Sequence, residues 1–162
     1  MSVVYGTGRT RITLYSAAGT PTYRLTLQIE QHEGLKITFT PEGQEHLLGS
    51  GAGFIRAWTH RGWRPRLDVQ WDWGLQSTRE TYGSGVWGAP ETVDTVRALG
   101  QILSAAMRAP CLVEPHMDHS FAFYAQADPQ IPWVLQDTRR VLHGELVLGL
   151  IGTGLIADIP TW

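Results

Sequence analysis

Alternation of apolar and polar residues with a period of two recurs along most of this chain and limits it to folds built mainly from β-strands. From residue 67 to residue 73 the odd positions are Leu, Val, Trp and Trp, and the even positions are Asp, Gln and Asp. A strand with one buried face requires this pattern. Further strand-like stretches are found at 11–15, 23–30, 35–39, 112–114, 120–127 and 141–151. The connections between the early stretches are short, so we expect an antiparallel sheet.

One segment has a different period. From residue 91 to residue 107 the apolar residues recur at intervals of three and four, which is the spacing of one face of an amphipathic helix. Pro90 suits the first turn of this helix, and Pro110 ends it. The expected fold is therefore mainly β and of the α+β class: an antiparallel β-sandwich or barrel with one amphipathic helix, at about 91–107, packed on a sheet.

The length of the chain is that of one domain. At 162 residues it can form a proper core, because a domain of this size buries roughly 68–70% of the surface that the unfolded chain exposes. We expect a single domain, 1–162, with a flexible N-terminal arm at 1–10. Two polar, glycine-rich stretches, 41–53 and 74–89, are expected to be long loops that contact other molecules. An extended hairpin would fit the second stretch equally well.

The charge of the chain excludes some classes of partner. Charged residues make up 17% of the sequence and the net charge is -2, so there is no general field that would attract nucleic acid or anionic lipid. No run of 18 apolar residues is present, and the first ten residues, MSVVYGTGRT, lack the features of a signal peptide. We expect a soluble protein that is not secreted and does not bind a membrane. Nucleic acid is not an expected partner.

Residues 54–73 combine four of the seven tryptophans with four of the twelve arginines. Guanidinium groups pair with anions and indole rings offer stacking faces, a combination typical of sites for nucleic acids or carboxylates. Asp68 and Asp72 lie close by, so pairing with acidic residues of the same or an adjacent subunit is favoured. The alternation places Trp71 and Trp73 in the core. The part that stays exposed supplies the candidates for a subunit contact: Arg56, Trp58, Arg61, Trp63, Arg64 and Arg66.

No complete catalytic signature is present, so we expect a protein that is not an enzyme and needs no cofactor. The closest approach to a metal site is the run EPHMDH, which resembles the HxHxDH signature of metallo-β-lactamase-like hydrolases with Glu114 in place of the first histidine. The candidate zinc ligands in that case are His116, Asp118 and His119. A polar turn between two strands is the favoured alternative.

The single cysteine, Cys111, cannot form an internal disulfide. It lies between Pro110 and Leu112 in a mostly apolar run, where a buried free cysteine is common. We expect a core residue and not a nucleophile.

The order of these features resembles that of small structural proteins from the tails of long-tailed bacteriophages, in particular tail-tip and distal-tail ring components. The resemblance lies in YRLTLQIE, in LLGSGAGFIRAWTHRGWRPRLDVQWDW, in the helix, in LVEPHMDHSFAFYA and in HGELVLGLIGTGLIADIP. It implies a β-sandwich or β-barrel subunit that assembles into a ring, often a hexamer, by pairing strands and inserting loops between neighbours. Its partners would be copies of itself and other virion tail proteins.

The expected function is that of a non-enzymatic virion structural protein. It would be made in the host cytoplasm and built into a ring or tube of the phage tail, at the tail tip, the distal tail or the tube. Many strands leave edges that such an assembly would cover. The alternatives are a carbohydrate-binding β-sandwich module, which requires several exposed coplanar indole rings, a capsid decoration protein, and a small metal-dependent hydrolase.

Overall fold

The computed structural model describes residues 9–28, 35–50, 53–71, 76–116, 120–131, 136–138, 141–143 and 146–160. In chain order the elements within these ranges are β1 (Arg9–Tyr15), β2 (Pro21–Gln28), β3 (Leu35–Ser50), β4 (Gly53–Trp71), β5 (Gln76–Gly83), β6 (Val86–Trp87), β7 (Glu91–Asp94), α1 (Thr95–Ala106), β8 (Cys111–Glu114), β9 (Phe123–Ala127), β10 (Gln136–Thr138), β11 (Val141–His143) and β12 (Leu146–Gly152). The expected composition, strands with one helix, is confirmed.

Ten of these strands form one antiparallel sheet. Its order is β3-β4-β12-β9-β8-β1-β2-β5, and β6 and β7 both pair with the far side of β5. The protein is therefore mainly β and of the α+β class, and its described ten-stranded sheet does not close into a barrel. Strands β10 and β11 pair with each other separately.

The core lies between one face of the sheet and the helix. Helix α1 is close to strands from both halves of the sheet, from β12 and β9 to β1, β2 and β5. Its residues Leu99 and Ile102 are completely buried. Each such side chain stabilises the fold by about 1.5–3 kcal/mol through loss of contact with water. The largest buried side chains of the strands are Ile12, Leu14, Leu25, Leu27, Leu67, Val69, Val113, Leu148 and Leu150. In the described part of the chain, no helix has the length and apolar character needed to cross a membrane.

The helix begins later than its sequence pattern indicates. Residues 91–94 form strand β7, which pairs with β5, and the first helical residue is Thr95. Val93 packs against the core from this strand and not from a helix. The spacing of three between Val93 and Val96 fits a helix, but the pairing of residues 91–94 with β5 makes this segment a strand. At the other end the helix stops at Ala106, close to the predicted position.

The two stretches predicted as long loops are largely strand. Residues 41–50 continue β3, and its pairing with β4 runs from Leu35 opposite Val69 to Ser50 opposite Gly53. The loop prediction at 41–53 is therefore wrong for these residues, because cross-strand hydrogen bonds satisfy the backbone whatever the composition. At 74–89 the long-loop prediction is wrong for residues 76–83 and 86–87, and the alternative of an extended hairpin is confirmed there, because these residues form the β5–β6 hairpin. Its turn residues, Ser84 and Gly85, both have positive φ, as a type I′ turn requires.

The N-terminal arm predicted at 1–10 is wrong for its last two residues, 9 and 10. Arg9 and Thr10 belong to β1, where Thr10 is buried and donates its hydroxyl to the Pro115 carbonyl at 2.9 Å. The rest of the predicted arm, residues 1–8, lies outside the described residues. So does Trp73, one of the two tryptophans expected in the core.

The packing of α1 against the sheet can be tested with two substitutions on that helix. Leu99→Ala should lower the free energy of unfolding by about 2–5 kcal/mol, because it leaves a cavity under the sheet. Ser104→Ala, at an exposed position of the same helix, should change it by no more than about 0.5 kcal/mol. Urea unfolding followed by circular dichroism measures both. Equal effects would contradict this placement of the helix.

Candidate functional site

The β3–β4 pair extends well beyond the rest of the sheet. Strand β12 pairs with β4 only from Arg66 to Trp71, and one further bridge joins Trp63 to Ile156. Residues 43–50 and 53–60, named here the projecting hairpin, therefore pair only with each other among the described strands. At about 3.4 Å per residue, these eight-residue stretches extend about 27 Å.

The base of the projecting hairpin is held by the segment that follows β12. Trp63 and Ile156 exchange two backbone hydrogen bonds, with N···O distances of 2.8 and 2.9 Å. Beside them Gly62 has a φ of 145°, and a Cβ at this position would lie 2.8 Å from the Ile156 carbonyl oxygen. Both the backbone conformation and this close approach require glycine. The hairpin consequently leaves the sheet at a defined point.

The projecting hairpin exposes large apolar side chains. Leu47, Leu48 and Trp58 are 66%, 59% and 57% exposed. Because side chains alternate along a strand and Trp58 lies opposite Glu45, Trp58 and Leu47 share one face while Leu48 lies on the other. The Trp58 ring covers Gly43, where a Cβ would approach it to 2.8 Å. Exposed apolar surface of this kind marks sites of interaction with other molecules.

Two of the predicted contact arginines are paired inside the chain. Arg64 bonds the Glu42 carboxylate and also donates to the Gly152 carbonyl oxygen at 2.6 Å. Arg66 donates to Asp68 at 2.9 Å and to Asp128 at 2.8 Å. The Arg64 guanidinium holds the pKa of Glu42 below its ordinary value. The expectation that arginines of this segment pair with acidic residues of the same or an adjacent subunit is confirmed within the chain for these two.

The other predicted contact residues divide between the hairpin and its base. Arg56, 3.5 Å from Glu45, is highly exposed, and Arg61 donates to Gln44 at 3.2 Å. Trp63 is half-buried, with its ring edge-on to His60 at 5.1 Å. Arg56, Trp58 and Arg61 are thus exposed as expected, whereas Trp63, Arg64 and Arg66 are only partly exposed. The segment after β12 covers the base, and sequence spacing did not indicate that contact.

A shallow groove lies beside the base of the hairpin. It has a volume of about 370 Å³, and its lining includes Tyr15, Ala17, Ala109, Pro110, Tyr124 and Thr153. The Tyr15 and Tyr124 rings are 6.2 Å apart. The backbone N–H of Thr153 donates to the Tyr124 carbonyl at 2.8 Å. Sequence reasoning missed both this groove and Leu47-Leu48. Two adjacent leucines inside a polar stretch could have indicated an exposed apolar site. The groove could not have been predicted in this way, because its residues come from separate parts of the chain.

The face of the sheet opposite the helix carries arginine–glutamate ion pairs. Arg11 bonds Glu114 through two hydrogen bonds of 2.6 and 2.8 Å, and Arg24 bonds Glu80 in the same way at 2.7 and 2.8 Å. The Arg24 guanidinium also lies 4.5 Å from the centre of the Trp87 ring. Hydrogen bonds from these arginines lower the pKa of Glu114 and of Glu80. Each of these four charged groups therefore has a partner of opposite charge within the chain.

The proposed zinc ligands are not assembled in the described residues. Glu114, the counterpart of the first histidine in the signature, is bonded by Arg11, and His116 is half-buried. The other two candidates, Asp118 and His119, lie outside the described residues. Among the residues that are described, no group of three or more His, Cys, Asp or Glu could hold a metal ion.

Cys111 is a core residue, as predicted. Its side chain is buried, and its Sγ lies 3.4 Å from the Ala125 carbonyl oxygen. Burial raises the pKa of this thiol to about 12, so almost no thiolate exists at neutral pH. A nucleophilic role is therefore disfavoured.

No protein-family model, curated protein or solved structure matches this chain significantly. The features that distinguish the chain are therefore those of its own geometry: a projecting hairpin with exposed apolar residues, an apolar groove near its base and internally paired charges. Such an arrangement can bind another protein surface by shape and apolar contact.

The ion pair between Arg11 and Glu114 should make the free energy of unfolding decrease at acidic pH. The pKa of Glu114 in the folded protein is below its ordinary value of 4.5. The ionised carboxylate therefore stabilises the fold fully above pH 4.5, and this stabilisation is lost as the pH falls through the lowered pKa. Glu114→Gln should cost about 1–2 kcal/mol at pH 7, since charged hydrogen bonds contribute about 1.5–3 kcal/mol and solvent reduces this. Urea unfolding from pH 7 to pH 3 should show a flatter profile for the variant. Glu91→Gln, which removes an exposed partner of Arg79, is the control; the same loss there would contradict a special role for Glu114.

The burial of Cys111 predicts a thiol that is inert in the native protein. At pH 8, Ellman's reagent should react with it slowly in buffer and rapidly in 6 M guanidinium chloride, because unfolding restores the thiolate. A Ser104→Cys variant carries a second, exposed thiol and should react with one equivalent at once. Rapid reaction of the native wild-type protein would show that Cys111 is accessible.

Proposed function

We propose that this protein is a non-enzymatic structural subunit that assembles with copies of itself into a ring or tube, as in the tail of a long-tailed bacteriophage. The projecting hairpin is the observation that carries the proposal. It presents Leu47, Leu48 and Trp58 to solvent on a two-stranded ribbon about 27 Å long. A feature of this kind adds exposed apolar surface without adding to the core of its own chain.

The projecting hairpin has a physical need for a partner. An isolated two-stranded hairpin is at best marginally stable in water and requires a third strand or a packing surface. Beyond Trp63 neither strand of the hairpin has a further neighbour among the described residues, so both edges present backbone groups without a strand partner. A second protein chain would supply both the hydrogen bonds and the apolar cover.

The charges favour a protein partner over a polyanion. Arg64 and Arg66 are bonded to carboxylates within the chain, and Arg56 faces Glu45. With a net charge of -2 for the whole chain, little positive potential is left for nucleic acid. Apolar surface framed by balanced charges is typical of contacts between proteins.

The assignment to a phage tail depends on the resemblance in the order of features. Residues 47–50 and 53–60 of the hairpin lie within one of the segments that carry this resemblance, residues 47–73. The proposed partners are copies of the chain and other tail proteins, and the proposed location is the virion. A carbohydrate module requires several coplanar exposed indoles. Of the tryptophans whose side chains are described, Trp58 is exposed, while Trp63 and Trp87 are half-buried. No observation therefore favours this second candidate.

Assembly should depend on the apolar residues of the projecting hairpin. The double variant Leu47→Arg, Trp58→Arg should weaken self-association at least about 30-fold, the loss typical of a central aromatic anchor, without changing the thermal unfolding midpoint. Light scattering coupled to size exclusion, over a range of concentrations, measures the oligomer, and negative-stain microscopy shows rings or tubes.

Val86→Arg is the control for this experiment, because it places the same charge at another exposed apolar residue, which is outside the hairpin. It should leave assembly unchanged. A wild-type protein that stays a monodisperse monomer at high concentration, with neither rings nor tubes, would contradict the proposed function.

A further inference from the structure

The projecting hairpin and the apolar groove lie at the same end of the sheet. Thr153 is hydrogen bonded to Tyr124 in the groove, and Ile156 is hydrogen bonded to Trp63 at the base of the hairpin. The three Cα-to-Cα steps from Thr153 to Ile156 span at most about 11 Å. The groove and the hairpin base are therefore neighbours on one end of each molecule.

The hairpin does not fill the groove of its own chain. Trp58 is five residues beyond Trp63 along β4, which carries it about 17 Å past the base. Its indole ring remains 57% exposed there. The two apolar surfaces of one molecule are thus both without cover in the described chain.

The two surfaces match in chemistry and size. The groove is lined by two tyrosine rings with proline, alanine and glycine, and its volume of about 370 Å³ is at the lower end of the range of about 300–1,000 Å³ found for pockets that hold small ligands. Trp58 and Leu47 share one face of the hairpin. An indole packed against the two tyrosine rings gains from aromatic contact as well as from burial.

The extent of the surface fits a stable contact between proteins. A standard interface takes about 20–30 residues from each partner. The two strands of the projecting hairpin and the adjoining segment 153–160 offer about that number together. Leu155 and Ile159 of that segment are also exposed apolar residues, which continues the apolar surface from the hairpin towards the groove.

Pairing along the outer edge of β3 is a weaker way to join two copies. Pro41 has no N–H to donate, and the register shifts between Glu42 and Gly43. Both features interrupt the edge and are devices that protect edge strands from continuous pairing. The faces of the hairpin are consequently the better contact surface.

We infer that the Trp58 face of the projecting hairpin of one copy packs into the Tyr15–Tyr124 groove of a second copy of this chain. This inference depends on the proposed function and specifies its contact. When the copy that receives a hairpin gives its own hairpin to a third copy, the interface is heterologous. Trp58 lies about 17 Å beyond the hairpin base along the strands, so the neighbour that brings its groove to Trp58 is tilted or displaced along the strands as well as rotated. A tilt that closes on itself gives a ring, and a repeated displacement gives a tube.

Two kinds of variant test the hairpin surface and the groove surface of this contact separately. Trp58→Arg removes the hairpin contact, and Ala17→Arg or Tyr124→Arg blocks the groove at exposed positions. Each variant alone should associate at least about 30-fold more weakly than the wild type. Thr59→Arg is the control within the hairpin, because the adjacent side chain lies on the opposite face, and it should assemble. Circular dichroism and thermal unfolding check that every variant is folded.

Mixing the variants gives the decisive result. Trp58→Arg keeps an intact groove and Ala17→Arg keeps an intact hairpin, so an equimolar mixture should form a one-to-one dimer and stop there. Analytical ultracentrifugation with one component fluorescently labelled measures this species. Either groove variant that folds serves, so a failure of one to fold leaves the test in place.

The outcomes distinguish this inference from the proposed function. A wild-type protein that never assembles overturns both. If the wild type assembles and Trp58→Arg prevents it, but both groove variants still assemble, the proposed function stands and the groove is not the receiving surface. If the mixed variants remain monomers, or if Thr59→Arg prevents assembly while Trp58→Arg does not, the inferred contact is wrong.

Discussion

The pairing of strand β4 determines the shape of this molecule. Over Arg66–Val69 it lies between β3 and β12 and contributes Leu67 and Val69 to the core. Beyond Trp63 it has β3 as its single described strand neighbour. One continuous strand is therefore part of the core at one end and part of a projecting ribbon at the other. The core fixes the direction of the ribbon, since its base cannot move without breaking the pairing with β12 and the Trp63–Ile156 bridge.

The charged residues are also arranged differently in the body of the sheet and on the projecting hairpin. In the body of the sheet, arginines form bidentate pairs with carboxylates on the face opposite the helix, as between Arg11 and Glu114 or between Arg24 and Glu80. Those pairs stabilise the fold and leave little net charge for attraction at long range. On the projecting hairpin the charges are few and exposed, and the apolar side chains have no cover in the described chain. Recognition by this protein would consequently depend on shape and on burial of apolar surface.

Local pattern predicted most elements but not their ends. The alternation in 11–15 and 23–30 corresponds to β1 and β2, and the helical period corresponds to α1. The strands at 41–50 were missed because proline, glycine and polar residues favour a loop when judged without a partner strand. Residues 91–94 were taken for helix because two valines three apart fit the helical period of the segment that follows. In both places hydrogen bonds to a partner strand outweighed local propensity.

The candidate site was predicted in part for the same reason. The sequence by itself determined a mainly β protein with one helix, a buried Cys111 and an exposed Trp58, because each follows from residue type and spacing along one element. Only the tertiary structure decided that Arg64 and Arg66 form ion pairs within the chain. The exposure of Leu47 on a ribbon and the groove between Tyr15 and Tyr124 were also decided there. Those facts depend on which strands become neighbours, and strand pairing joins residues far apart in the chain, so spacing along the sequence carries no record of it.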